Sequence, residues 1–443
     1  MTLLLTQGNA LTIPLADESV HCVVTSPPYW GLRDYGIGDQ LGLEPTPEEY
    51  VANMVAVFRE IKRVLRADGT CWLNLGDSYW GGGRGGNEPM TSENWKPEYG
   101  HPSWKHSNLK PKDLCGIPWR VAFALQADGW WLRSDIIWNK TNSMPEPVRD
   151  RLTKGHEYVF LLSKSLKYFY DVDAIREPHE TLEIEMKRKD FFDIQNYDGN
   201  QDKAKIAGVG KIRKGRSRKD DFNSNGCNKR TVWTLPTKPY KGAHFATFPP
   251  KLIEPCIKAG TSEHGVCPKC GSHWERVVER GNSEHHCRPG CSCQASKQTE
   301  QDWSEGWQKY GNYQNTAIAT NRWQPTCECW RDMPDPDAPR TKDARKRQQQ
   351  DAGGYWKYRA VLRFGDTLPA TVFDPFVGSG TTCLVSEQLG RNSIGVDLSL
   401  EYLNLAQERT GLKQWMRWVD GKKKEIVINK EGKIPEQQII WDL

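Results

Sequence analysis

Phe373-Asp374-Pro375-Phe376-Val377-Gly378-Ser379-Gly380-Thr381-Thr382 is the stretch on which the fold turns. Apolar Pro369-Ala370-Thr371-Val372-Phe373 reads as a strand entering it, and Cys383 to Leu389 as a helix leaving it. Strand, glycine loop and helix in that order form the nucleotide-binding unit of a doubly wound sheet. Glycines let the backbone approach a ligand closely, and the amino terminus of the following helix favours a carboxylate nearby. The next apolar segment, Asn392-Ser393-Ile394-Gly395-Val396-Asp397, ends in an acid. It lies about 20 residues on, where an acid accepts hydrogen bonds from ribose hydroxyls. A helix N-cap is a second role open to Asp397, and the two are compatible.

A second strand exit lies far upstream. Apolar His21-Cys22-Val23-Val24 runs into Thr25-Ser26-Pro27-Pro28-Tyr29-Trp30. Two successive prolines end the strand and lock φ at both positions. Ser26 and Tyr29 then project beyond the strand's carboxyl edge, where ligands bind in open α/β sheets. A polar acceptor, a fixed backbone carbonyl and an aromatic face together suit a planar ring bearing an amine.

The two motifs resemble those of the β-type (permuted) DNA amino-methyltransferases, which methylate an exocyclic amine of a base. The resemblance covers roughly residues 1–178 and 236–412. It implies a circularly permuted Rossmann-like α/β sheet, because the catalytic motif precedes the cofactor motif in the chain. It further implies S-adenosyl-L-methionine (AdoMet) as cofactor, held by Phe373, Asp374, Pro375, Phe376, Gly378, Ser379, Gly380, Thr381 and Asp397. Within that set Asp374 faces the methionine amine and Asp397 the ribose. Ser26, Pro27, Pro28 and Tyr29 become the catalytic residues, with Tyr29 stacking on the base, Trp30 assisting, and Ser26 and the Pro27 carbonyl accepting from its amine. Ser-Pro-Pro-Tyr is the form most associated with cytosine N4, and Asp-Pro-Pro-Tyr with adenine N6. Adenine N6, an RNA or protein-amide substrate and a catalytically silent DNA-binding or regulatory module stay open as alternatives. The family usually has Gly-Asp near the adenine ring where this chain has Gly8-Asn9. Asn9 is therefore a cofactor contact or simply a turn residue. His244 to Pro249, ahead of an expected helix at 250–258, looks like the family's motif X and makes Phe245 and Thr247 cofactor candidates.

Composition sets the surroundings. The 443 residues carry a net charge of +5, too little for a general polycation, so any nucleic-acid footprint must be local. No stretch is apolar enough to span a membrane. Met1 to Thr6 reads as a first strand rather than a signal peptide. A cytoplasmic protein, bacterial or phage-encoded, is expected. The expected partners are double-stranded DNA and a cognate restriction endonuclease.

In the first half, Thr46-Pro47-Glu48-Glu49 is a helix start with Thr at N-cap and Glu at N3. The helix is expected through Leu65 and to stop at Ala67-Asp68-Gly69. Strands are expected at 70–75, 130–138 and 156–163, with a helix at 118–127. The glycine-rich run from Gly81 opens a long polar segment that closes over substrate or forms an insertion. Lys140 and Asn142, just past a strand, are candidates for phosphate or base contact. Residues 179–235 break the α/β pattern and form the expected target-recognition region. There Lys211, Arg213, Lys214, Arg216, Arg218 and Lys219 form a basic cluster suited to phosphates or a solvated linker.

Seven of the 13 cysteines lie between 267 and 329. In a reducing compartment such clustering points to metal rather than disulfides. Cys267-Pro268-Lys269-Cys270-Gly271 has zinc-knuckle spacing. Cys327 and Cys329 are the favoured closing pair, with Cys291 and Cys293 competing. Cys287, Cys291 and Cys293 with His285 or His286 leave a second Zn²⁺ site open. Cys22, Cys71, Cys115, Cys256 and Cys383 read as buried thiols. The domain reading is therefore 1–178 catalytic half, 179–235 target recognition, 236–262 and 366–412 AdoMet half, 263–333 zinc ribbon, 334–365 linker and 413–443 extension, the last with a hairpin at 427–429 and 439–441.

Overall fold

The computed structural model describes residues 2–32, 34–36, 38–80, 108–110, 112–178, 226–238, 247–280, 317–330, 367–412, 418–419 and 422–423. The glycine-rich segment from 81, the basic cluster at 211–219, Phe245, the Cys287–Cys293 group, the 334–365 linker and the 427–441 hairpin lie outside these residues.

The strands are β1 (Leu3–Gln7), β2 (Val20–Thr25), β3 (Leu65–Leu75), β4 (Trp131–Asn139), β5 (His156–Ser163), β6 (Val232–Thr234), β7 (Trp274–Arg280), β8 (Ala317–Pro325), β9 (Thr371–Asp374), β10 (Asn392–Asp397), β11 (Trp418–Val419) and β12 (Lys422–Lys423). The helices are α1 (Pro47–Val64), α2 (Ile117–Ala127), α3 (Pro250–Gly260), α4 (Thr381–Gln388) and α5 (Leu400–Thr410). Eight strands form one mixed sheet in the order β1-β10-β9-β2-β3-β5-β4-β6. From β1 to β3 neighbours are parallel, while β5 runs antiparallel to both β3 and β4. The two late strands β9 and β10 thus lie between β1 and β2. Cys22 and Val23 of β2 register with Val372 and Phe373 of β9. That register brings the carboxyl ends of the two motif strands side by side.

Alternation along the strands sorts the two faces. Cys71, Leu73 and Leu75 of β3 join Val23 in a core with Tyr50, Met54, Phe58 and Ile61 of α1 and Val121 and Leu125 of α2. Thr70 and Trp72 point the other way, against α3. A Cβ on Gly260 would sit 2.5 Å from Thr70 Oγ1 and 2.7 Å from Cys22 Sγ, so only glycine permits that helix its close approach. The five scattered cysteines are all buried.

The first helix begins as expected, Thr46 Oγ1 accepting from Glu49 N at 3.2 Å. It ends earlier than the local signals predict. Leu65 is already extended (φ −74°, ψ 135°) and starts β3, pairing with Val20. Full burial of Leu65 and its pairing outweigh helical periodicity, and Ala67-Asp68-Gly69 becomes part of the strand rather than a stop. β7 pairs with β8, more than 35 residues on.

Contacts divide the chain into two units, and the smaller comprises 175–229 and 276–324. In it Glu177 and Cys227 exchange two backbone hydrogen bonds of 2.9 Å, Lys229 pairs with Glu177 at 3.0 Å, and Arg276 lies over the Trp323 ring. The larger unit holds the eight-stranded sheet and every site residue described below.

Candidate active site

Beyond β2 the chain turns rigidly. The Pro28 carbonyl accepts from Tyr50 Oη at 2.8 Å, and Trp30 Nε1 donates to the Glu44 carbonyl at 2.9 Å. Trp30 itself is buried and stacks on Trp80, centroids 5.8 Å apart, so it anchors the turn within the core and does not face a substrate.

Tyr29 is the centre of a polar cluster. Its hydroxyl donates to Glu157 Oε2 at 2.8 Å and accepts from Asn74 Nδ2 at 2.8 Å. Ser26 Oγ lies 3.4 Å from Tyr29 Oη and 3.4 Å from Asn74 Nδ2. Asn74 also donates to Glu157 Oε2 at 3.2 Å. Lys140 Nζ forms an ion pair with Glu157 Oε1 and sits 4.6 Å from the centroid of the Trp138 ring. Burial, then the negative charge of Glu157, push the Tyr29 phenol well above its ordinary pKa, so it stays protonated. One edge of the Tyr29 ring rests against Gly76, where a Cβ would come within 2.5 Å of Cε2. Close by, Asp77 accepts from Ser78 N and Ile117 N, both at 2.9 Å, and pairs with Lys154 at 3.8 Å.

The glycine loop adjoins this cluster through the paired strands. Thr25 Oγ1, one residue before Ser26, donates to Asp374 Oδ1 at 2.7 Å. Asp374 also accepts from Thr382 Oγ1 at 2.7 Å and from Phe376 N at 3.1 Å. Burial raises its pKa to about 6 against the lowering by these three donors. Gly378 N donates to Asp397 Oδ2 and Ser399 N to Asp397 Oδ1, both at 2.9 Å, and burial raises Asp397 to about 6 as well. Gly380 is left-handed (φ 78°), and a Cβ there would strike Ala406 of α5 at 2.9 Å. Arg409 Nη1 donates to Ser379 Oγ at 2.7 Å and Thr381 Oγ1 at 2.8 Å, fixing the outer side of the loop.

A family model described as DNA methylase, of the N6/N4 class, matches residues 20–267 and 367–408, well over half the chain. The chain belongs to the N6/N4 DNA methylase family. It is 48% identical over 257 residues to the Type II methyltransferase M.XycI of Xanthomonas campestris pv. cyanopsidis, covering 58% of this chain and 71% of that one. M.Cfr9I of Citrobacter freundii is 46% identical over 257 residues, with the same coverage of each chain. M.SmaI of Serratia marcescens is 43% identical over 251 residues, covering 57% and 72%.

Several expected contacts of this methylase have protein partners. Asn9 Oδ1 accepts from Leu11 N at 2.9 Å, an Asx turn at the end of β1. Asn142 Oδ1 accepts from Thr237 N at 2.7 Å, and Asn142 Nδ2 donates back to the Thr237 carbonyl at 3.1 Å. Lys140 is held by Glu157, as above. Thr247 lies just ahead of α3.

Sequence reading missed Asn74, Gly76 and Glu157. The available signal was a polar residue inside each of two apolar strands, Cys71-Trp72-Leu73-Asn74-Leu75 and His156 to Leu162. Their convergence on Tyr29 follows from β5 running antiparallel to β3, which returns Glu157 to the edge where β2 ends.

The opposite, amino edge of the sheet carries the methylase's cysteine cluster. The thiols of Cys267, Cys270, Cys327 and Cys329 all lie within 4.8 Å of one another. Four sulfurs about 2.3 Å from a tetrahedral Zn²⁺ would stand about 3.8 Å apart, so the donor set fits. Gly271 N donates to the Cys267 carbonyl at 2.8 Å, closing the knuckle turn, and Gly271 is left-handed (φ 71°). The knuckle docks on the strand starts: His21 bonds the Gly271 carbonyl at 2.9 Å and Arg66 Nη1 the Cys270 carbonyl at 2.8 Å.

Proposed function

We propose that this methylase transfers a methyl group from AdoMet to the exocyclic N4 amine of a cytosine flipped out of double-stranded DNA. The observation that carries the reading is the placement of Ser26 and Tyr29 at the carboxyl edge of β2, one strand from the Gly378–Gly380 loop and bonded to it through Thr25 and Asp374. A base that must react at its amine has to leave the helix, and a stacking face beside an acceptor is the pocket such a base needs. Tyr29 supplies the face. Ser26 Oγ and the Pro27 carbonyl accept from the amine, which draws its nitrogen toward tetrahedral geometry and frees the lone pair from the ring; the methylated amine then loses its surplus proton to solvent. AdoMet, when bound, supplies the electrophilic methyl. Its binding falls to the Phe373–Thr381 loop, with the raised Asp397 accepting from the ribose as an anion. Holding amine and loop on neighbouring strands supplies much of the rate through orientation. No covalent enzyme intermediate is required, so the buried thiols are spectators.

In this reading the sheet is circularly permuted, with β9 and β10 completing a sheet begun by β1 and β2. The four clustered cysteines hold one structural Zn²⁺; four thiolates leave no position for substrate. The basic run at 211–219 meets DNA phosphates. Relatives named Type II methyltransferases support a restriction-modification setting with a cognate endonuclease.

Nucleoside mass spectrometry of DNA incubated with the protein and AdoMet tests the reading. N4-methylcytosine is the expected product. N6-methyladenine would keep the pocket and overturn the base. No methylated base, from protein that binds AdoMet, would overturn DNA as substrate.

A further inference from the structure

Serine and tyrosine hydroxyls can each donate or accept, so a cluster of them has no inherent direction. A carboxylate can only accept. In this cluster the carboxylate of Glu157 stands at one end, Tyr29 Oη donates to it at 2.8 Å, and Ser26 Oγ donates to Tyr29 Oη at 3.4 Å. Asn74 Nδ2 faces all three oxygens, at 3.4, 2.8 and 3.2 Å. Turning that amide over would set its carbonyl oxygen against the Glu157 carboxylate, so the donor orientation is the one electrostatics allows. Lys140 holds the other carboxylate oxygen, and both members of that ion pair are largely buried, 19% and 15% exposed. The charge that fixes the direction is thereby itself held in place.

We propose that Glu157, held by Lys140 and Asn74, is a positioning residue that sets the polarity of the Ser26–Tyr29 hydrogen-bond chain. The inference rests on the amine-methylating role proposed above. With Glu157 accepting, the Tyr29 proton points away from Ser26, and the Ser26 proton points toward Tyr29. A Ser26 lone pair is then committed to the incoming amine. Glu157 also pins the hydroxyl end of the Tyr29 ring while Gly76 supports its edge. Without the carboxylate, the Tyr29 hydroxyl can turn and donate to Ser26 Oγ, and the acceptor for the amine is consumed.

The decisive variant is Glu157→Gln, which keeps size and hydrogen bonding but can donate as well as accept. Single-turnover methyl transfer should fall about 100-fold, the scale of a misoriented catalytic group. AdoMet affinity, and the fluorescence of a cytosine analogue at the target position reporting flipping and stacking, should stay at parental values. Tyr29→Phe should fall by a similar factor with flipping retained. The double variant should be no slower than Tyr29→Phe alone, because both changes break one chain. Glu157→Gln leaves Lys140 unpaired, so Glu157→Gln with Lys140→Gln is the electroneutral companion. It should melt like the parent and remain slow. A Glu157→Gln rate within about threefold of the parent would overturn the proposal, as would full additivity in the double variant. Absence of methyl transfer in the parent protein would instead overturn the function on which the proposal rests, and the two failures are distinct.

Discussion

The two ends of β2 lie five residues apart and are built to opposite specifications. At the amino end, His21 has both ring nitrogens engaged, Nδ1 accepting from Thr371 N at 3.0 Å and Nε2 bonding the Gly271 carbonyl at 2.9 Å. Burial, reinforced by the positive charge of Arg66, depresses its pKa to about 4, so it is a neutral ring within the fold. His273 packs edge-on against it and stacks on Phe169 at 4.1 Å. At the carboxyl end, the Ser26 hydroxyl makes long contacts of 3.4 Å among the described residues, and its neighbours end in an accepting carboxylate. The difference lies in how the central side chain is held: His21 is fixed at both ring nitrogens by short hydrogen bonds, whereas the Ser26 hydroxyl has long ones.

The contrast can be broken from either end. The largest effect is expected from Tyr29→Ala, which should abolish turnover while leaving AdoMet binding intact by calorimetry; retained turnover would remove Tyr29 from the mechanism. Gly76→Ala comes next. Its new Cβ would overlap the Tyr29 ring, and displacing that ring should cost about 100-fold in methyl transfer with little change in melting temperature. The amino end should respond in the opposite way. Cys267→Ser should lower the melting temperature and release bound zinc, measurable with a metallochromic dye. The surviving folded fraction should keep its AdoMet affinity, because the knuckle docks away from the glycine loop.

Linking the two motif strands, Thr25→Val should cost about 2 kcal/mol in denaturant unfolding, the scale of a hydrogen bond to a buried carboxylate. The smallest effect is a pH dependence. Burial lifts Asp374 and Asp397 to about 6. A carboxyl raised in this way favours the folded protein below the ordinary carboxylate pKa, and that contribution is lost as pH rises through about 6. In the proposed reading AdoMet binding runs the other way, since Asp397 would accept from the ribose as an anion. Its affinity should rise between about pH 5 and pH 7 and then level off. A flat profile would remove Asp397 from the ribose contact.

Much of this was legible in the amino acids. Phe373 to Thr382 announces strand, loop and helix because each requirement is local: apolar residues to bury a strand, glycines for left-handed turns, threonines to open a helix. Ser26-Pro27-Pro28-Tyr29 announces a rigid strand exit for the same reason. The Cys267–Cys270 spacing is a property of one tight turn, and among the described residues Cys327 and Cys329 stand beside it in space. Tertiary structure alone decided the rest. Leu65 leaves its helix because Val20 pairs with it. Trp30, which looks like a second stacking face, is taken into the core by Trp80. Glu157 and Asn74 lie 83 residues apart and meet at Tyr29 because antiparallel β5 returns to the edge where parallel β2 ends. Local sequence specifies which backbone conformation and which functional groups are present at each point. The direction in which a shared hydroxyl donates depends on which charge stands at the far end of the chain of bonds, and only the folded sheet brings that charge there.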